Sequence, residues 1–246
     1  MIMKPVKYLS VLVLLMVMAA GNSFGQTLTD ILNKHYAAMG GVAKISGVKT
    51  QYVEGVTLAQ GQEIPFKKWG QNNKAMRLEF EVMGTSNVQV LNQKSGWIWM
   101  PVMGQLAPED MDSATFNAMK GMLDISGSEL YDYAAKGKQV ALIGKDTVEG
   151  KPAYKLKVTT KEGNTGYVFL DANTYYIIRA LNSVKIQGKE QELISEFTDY
   201  SKNPEGYVYP ATSKQGGGMM TLKISKMTVN QPVADSLFIK PKQQQQ

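Results

Sequence analysis

Side chains able to do covalent or metal chemistry are scarce in this sequence. The chain of 246 residues has no cysteine and a single histidine, His35. There is no thiol nucleophile, and a lone histidine excludes a multi-histidine metal site built within the chain. The HExxH, GxSxG and GxxxxGK(S/T) patterns are absent. Gly216-Gly217-Gly218 follows Lys214 and Gln215, the wrong order for a phosphate loop, and reads as a turn before the last strand. Two carboxylate pairs remain. Glu79 and Glu81 share one strand face, which plain alternation explains. Asp110 and Asp112 suit the positive start of a helix. A self-contained enzyme is not expected, and no cofactor or metal is implied.

The unusual chemistry is apolar. Ser95 to Gly104 reads SGWIWMPVMG. Trp97 and Trp99 point to one side of a strand, and Ile98 and Met100 to the other. A sheet wet on one face would not carry both sets. Three solutions fit: helices covering one face, an apolar inner cavity, or a membrane or partner surface. Met100, Met103, Met111, Met119 and Met122 cluster nearby. Methionine fills irregular space and tolerates changing partners, which suits a lid over a lipid cavity or an ordinary core.

These residues must be positioned by a chain with an export signal at its start. Lys4 and Lys7 precede an apolar run from Leu9 to Ala20, and Ser23-Phe24-Gly25 ends in small residues. That is a cleavable signal peptide over residues 1–25, its apolar run being well short of the roughly 20 residues of a spanning helix. Residues 26–241 form one expected domain, and 242–246 a frayed tail. A domain of this size can bury roughly 70% of its unfolded surface without disulfides. The formal charge of +6 is dispersed rather than clustered, so nucleic acid has no specific support as a partner, while mild attraction to an anionic membrane surface remains open.

Leu28, Ile31, Leu32, Tyr36 and Met39 recur at helical spacing, with Thr27 and Asp30 as a capping pair and Gly40-Gly41 as the stop. His35 lies beside that stripe, as a packed or half-exposed helix residue. Strands are expected over 51–58, 64–69, 76–82, 87–91 and 96–100. A helix follows from Pro108 to Asp124, with Met111, Ala114, Thr115, Ala118, Met119, Met122 and Leu123 on its apolar face. Seven further strands fall at 140–148, 153–160, 166–170, 177–186, 192–200, 208–214 and 220–229. Consecutive antiparallel strands in this number suggest one curled sheet or barrel.

Several segments together carry a resemblance. They are Leu32-Asn33-Lys34-His35-Tyr36-Ala37-Ala38-Met39-Gly40-Gly41 with Ile45 and Val48, then Lys74-Ala75-Met76-Arg77-Leu78-Glu79, then Asn92-Gln93-Lys94-Ser95-Gly96-Trp97-Ile98-Trp99-Met100-Pro101. Tyr209-Pro210 and Asp235-Ser236-Leu237-Phe238 recur near the end. The chain resembles the LolA-like periplasmic lipoprotein carriers and their outer-membrane acceptor relatives, in the divergent form found in Bacteroidetes-type bacteria. It departs from them at Asn92, where many carriers have aspartate, and at Met100, where the residue before the proline is usually aspartate.

The resemblance implies an α+β fold: a strongly curved antiparallel half-barrel of about 9–11 strands, with helices packed on its concave side. It implies a periplasmic protein that binds a lipid or an acylated lipoprotein, with no cofactor and no catalysis, and with a transient outer-membrane or protein partner possible. In that frame Phe80, Val82, Trp97, Trp99, Tyr154, Leu156, Phe169 and Ile177 face the apolar concavity. Arg77, which matches the arginine that helps hold the carriers' lid closed, joins Met111, Met119, Met122 and Leu123 in the lid. The rival expectation is a non-catalytic scaffold or interaction module whose concavity is filled by its own helix.

Overall fold

The computed structural model describes residues 26–126, 128–186 and 189–241. The expected signal peptide, 1–25, and the expected frayed tail, 242–246, lie outside the described residues.

The chain starts on one face of a sheet with α1 (Leu28–Ala38) and α2 (Val42–Ser46). The expected capping box on α1 is present: Thr27 Oγ1 accepts from Asp30 N at 3.2 Å, and Asp30 Oδ2 accepts from Thr27 N at 3.1 Å. The short α2 had no strong periodic signal.

A meander follows: β1 (Thr50–Ala59), β2 (Gln62–Gln71), β3 (Ala75–Val82), β4 (Thr85–Asn92), β5 (Gly96–Trp99) and β6 (Glu109–Asp110). Two-residue loops set the first registers. Gln60-Gly61 and Met83-Gly84 have positive φ at both positions, the turn that matches strand twist. At the β4–β5 turn, Asn92 Oδ1 accepts from Lys94 N and Ser95 N, both at 2.9 Å. Asn92 therefore supplies the acceptor that closes this turn.

The middle helix is shorter than expected. Glu109-Asp110 extends the sheet as β6, and α3 spans only Ser113–Met119, followed by a 3-10 turn at Lys120–Leu123. Asp112, not Pro108, marks the start, because its carboxylate accepts from Ala114 N and Thr115 N, both at 2.9 Å. Beyond it the chain crosses the sheet face and enters β7 (Gln139–Val148), β8 (Lys151–Thr159), β9 (Thr165–Asp171), β10 (Ile177–Ile186), β11 (Lys189–Lys202), β12 (Val208–Gln215) and β13 (Met220–Val229).

All thirteen strands form one antiparallel sheet in the order β6-β5-β4-β3-β2-β1-β13-β12-β11-β10-β9-β8-β7. The chain begins at the centre, walks to one edge, crosses over, and walks back from the other edge until β13 pairs with β1. The expected half-barrel of nine to eleven strands is thereby corrected. The sheet is open, it ends in two separate edges at β6 and β7, and it is not strongly curled. A sheet buried on one side only gains by wrapping around that side. Here apolar clusters lie on both faces.

One face carries the helices and the crossover. Ile31, Leu32 and Leu130 pack on Leu156, Val158, Val168 and Leu170, and Ile125 packs among Val53, Phe66, Tyr207 and Met227. Leu123 meets Met76 and Leu91. The opposite face holds a cluster of Val88, Val90 and Trp97 beside Trp99 and Phe238, and another of Val148, Ala153 and Phe169. Fully burying one such aliphatic side chain contributes about 1.5–3 kcal/mol.

Candidate functional site

The cross-strand registers decide which predicted residues can act together. Met76, Leu78, Phe80 and Val82 of β3 alternate onto the helix-bearing face, and Phe66 pairs with Phe80 across β2–β3. Tyr154, Leu156 and Ile177 share that face, with Ile177 opposite Leu170. Trp97 pairs with Val90 and Trp99 with Val88, so both tryptophans lie on the opposite face. Phe169 pairs with Lys155 and also lies there. The eight residues expected to line one concavity therefore divide five to three between two faces. The open question of the tryptophan strand is answered by cover on both sides: Trp97 donates from Nε1 to Phe238 O at 3.3 Å, while an added Cβ on Gly96 would meet Met111 Sδ at 2.6 Å.

Arg77 follows the tryptophans rather than the helices. Its Nε donates to Glu79 Oε1 at 2.6 Å, its Nη1 donates to Leu237 O at 2.9 Å, and its guanidinium lies 5.8 Å from the Trp97 ring centroid. It clamps a C-terminal strap that crosses from β1 towards β6. Gln71 Nε2 donates to Val233 O and Asp235 Oδ1, Lys74 pairs with Asp235 at 3.0 Å, and Lys240 pairs with Asp110 at 3.0 Å. The alternation of β3 already separated Arg77 from Phe80, and no strand irregularity brings them together.

Among the other residues expected in the lid, Leu123 is buried, Met111 and Met119 are half-buried against Met76 and Leu91, and Met122 is exposed. No residue of α3 is buried. The face is closed mainly by α1 and the crossover. His35 joins them. It is fully buried, with Nδ1 2.8 Å from Tyr175 O and Nε2 2.9 Å from Ser128 Oγ. A carbonyl only accepts, so Nδ1 carries the proton and Nε2 accepts from the serine. Burial holds the imidazole pKa below its ordinary value, against the raising effect of the Tyr175 carbonyl. Tyr36 donates to Leu130 O at 2.8 Å, and burial pushes its phenol up to about 12. Lys136 pairs with Asp124 at 2.7 Å and donates to Ser126 Oγ at 3.1 Å. Burial raises the Asp124 carboxyl, but the bonds from Lys136 and Ser126 outweigh it and leave the pKa lowered.

Away from this cover, the helix-bearing face keeps a strip of half-buried apolar side chains. It contains Leu78 and Phe80 of β3, Leu222 and Ile224 of β13, and Phe197 of β11. At one end, Met39, Ile177, Phe197, Tyr200 and Pro210, with Glu129 as the one charged residue, line a recess of about 210 Å³. A larger recess of about 640 Å³ lies on the opposite face beneath the strap. Its walls include Lys67, Glu79 and Lys226 beside Tyr52 and Trp69, a charged lining that suits hydrocarbon less well despite the greater volume.

One residue of the strip was not singled out from sequence. Lys68 pairs with Val53 on β1 and Leu78 on β3, which places it on the face of Phe66. It is half-buried and has no hydrogen-bond or ion-pair partner among the described residues. Burial alone lowers its pKa. The available signal was the phase of Phe66-Lys67-Lys68: the second lysine falls on the apolar phase. Among the described residues, no group of three or more His, Cys, Asp or Glu side chains could hold a metal ion. No described helix is long and apolar enough to cross a membrane.

No protein-family profile and no curated protein sequence matches the chain. Solved structures do match. A LolA superfamily protein from Nitrosomonas europaea has a TM-score of 0.57 at 14% identity, over 87% of this chain and 98% of that one. A Vibrio parahaemolyticus domain named for outer membrane lipoprotein sorting gives 0.52 at 11% identity, over 85% and 94%. A DUF1329 family protein from Desulfovibrio piger gives 0.50 at 14% identity, over 83% and 95%. The chain has the fold of LolA-superfamily proteins. At these identities the likeness is one of fold, and the site must speak for function.

Proposed function

We propose that this protein is a non-catalytic periplasmic binder of a lipid or lipoprotein acyl chain, held on the helix-bearing face of the sheet, for carriage or sorting to the outer membrane. The supporting observation is the half-buried strip of Leu78, Phe80, Phe197, Leu222 and Ile224, continuous with the recess at Ile177. Of the residues first expected to touch ligand, Phe80, Val82 and Ile177 belong to this reading, whereas Tyr154 and Leu156 lie in the core beneath α1. An acyl chain in water gains about 0.8 kcal/mol for each methylene it buries, so the site needs concave grease rather than a reactive group. One structural relative is named for lipoprotein sorting, which agrees with this chemistry. The location rests on reading residues 1–25 as an export signal, and the Bacteroidetes-type lineage rests on the sequence motifs alone. The self-filled scaffold accounts for Tyr154 and Leu156 beneath α1, but not for the half-buried Phe80, Leu222 and Ile224.

The test is native mass spectrometry of protein purified without detergent, with and without a palmitoylated peptide. A stoichiometric adduct is expected, lost in the double variant Phe80→Asp and Leu222→Asp while circular dichroism stays native. A clean apo mass with no uptake of the peptide would sink the proposal.

A further inference from the structure

Lys68 is an anomaly for a face that otherwise binds by hydrophobic contact. Several half-buried cations have carboxylate partners: Arg77 with Glu79, Lys136 with Asp124, and Arg179 with Glu196. Lys68 has none, and its neighbours in register are Val53 and Leu78. On its own strand and face stand Phe66 and Gly70. Gly70 is roofed by Ile125, whose Cγ2 lies 3.1 Å from where a Cβ would be. Lys68 thus marks the line where the crossover's cover ends and the half-buried strip begins. A partly desolvated ammonium without a counter-ion is unfavourable, and a bound anion would remove that cost.

We infer that Lys68 is the headgroup anchor of the acyl-chain site, and that the occupant is a fatty acid whose carboxylate pairs with the Lys68 ammonium. The hydrocarbon then lies along Leu78, Phe80 and Leu222. A monoanion fits the arrangement because, among the described residues, Lys68 faces the strip flanked by apolar partners. Arg77 and Lys67 belong to the other face by strand phase. This inference rests on the acyl-chain reading and names its ligand class.

Equilibrium dialysis of radiolabelled laurate and 1-dodecanol against the whole protein separates the two ideas. Laurate should bind at least tenfold more tightly than dodecanol. Lys68→Met should abolish that preference by weakening laurate at least tenfold relative to dodecanol, while Lys68→Arg should keep most of it. Methionine is apolar and similar in length, so the variant should fold. Should it not, the wild-type preference and the Lys68→Arg result decide. Equal binding of both ligands by the wild type, or a preference that survives Lys68→Met, overturns the anchor and leaves the acyl-chain reading intact. No binding of either ligand defeats both.

Discussion

Replacing Arg77 by alanine should destabilise the fold rather than open a lid. The guanidinium reaches Glu79 by two arms at 2.6 Å and Leu237 O by a third at 2.9 Å, and its side chain is only 17% exposed. A net hydrogen bond involving a charged group is worth about 1.5–3 kcal/mol. The contact with Trp97 adds about 0.5–1 kcal/mol. The Arg77–Glu79 pair is partly solvated, so its share lies at the low end. A loss of about 3 kcal/mol follows, or roughly 6–12 °C in Tm for a domain of this size. The Arg77→Lys variant keeps the charge without the planar two-armed geometry and should fall between. Thermal unfolding followed by circular dichroism gives the magnitude. Tryptophan fluorescence reports the Trp97 environment, and chymotrypsin cleavage at Phe238 reports release of the strap. An unchanged Tm in Arg77→Ala, with weakened binding of an acylated peptide, would refute this reasoning and return Arg77 to a lid.

Three further outcomes test the frame around the site. His35→Leu should cost about 2–4 kcal/mol, because the buried Tyr175 carbonyl and Ser128 hydroxyl lose their partners. The wild type should also lose stability as pH falls below about 6.5, by at most about 1.4 kcal/mol per pH unit. There the unfolded histidine takes up a proton that the buried one, with its lowered pKa, does not. Urea unfolding between pH 7.5 and 5.5 should show this slope, flattened in His35→Leu. Gly96→Ala should cost about 1–3 kcal/mol by overpacking. Its Cβ would stand 2.6 Å from Met111 Sδ and 2.9 Å from Val90 O, and the backbone oxygen cannot yield. Wild-type stability in urea would mean that the close packing of Met111, Leu91 and Val90 O around Gly96 is absent.

The sequence by itself determined the strand series, the capped first helix and the absence of a nucleophile constellation, because these depend on local periodicity and residue type. Alternation in β3 even separated Arg77 from Phe80. Other outcomes depended on contacts distant along the chain. The middle helix shortened because Glu109 and Asp110 could pair with β5, a gain invisible within the segment. Trp97 and Trp99 read as ligand-facing because both sides of their strand are apolar; only the strap, more than 130 residues later in sequence, showed which side they fill. Local pattern likewise suggested a curled sheet, whereas the sheet stays open, with separate edges at β6 and β7 and apolar cover on both faces. Lys68 looked like one surface lysine among many. Its meaning came from Val53 and Leu78 on neighbouring strands and from the lack of any counter-charge there, because the environment of a charge is set by the neighbours that folding brings to it.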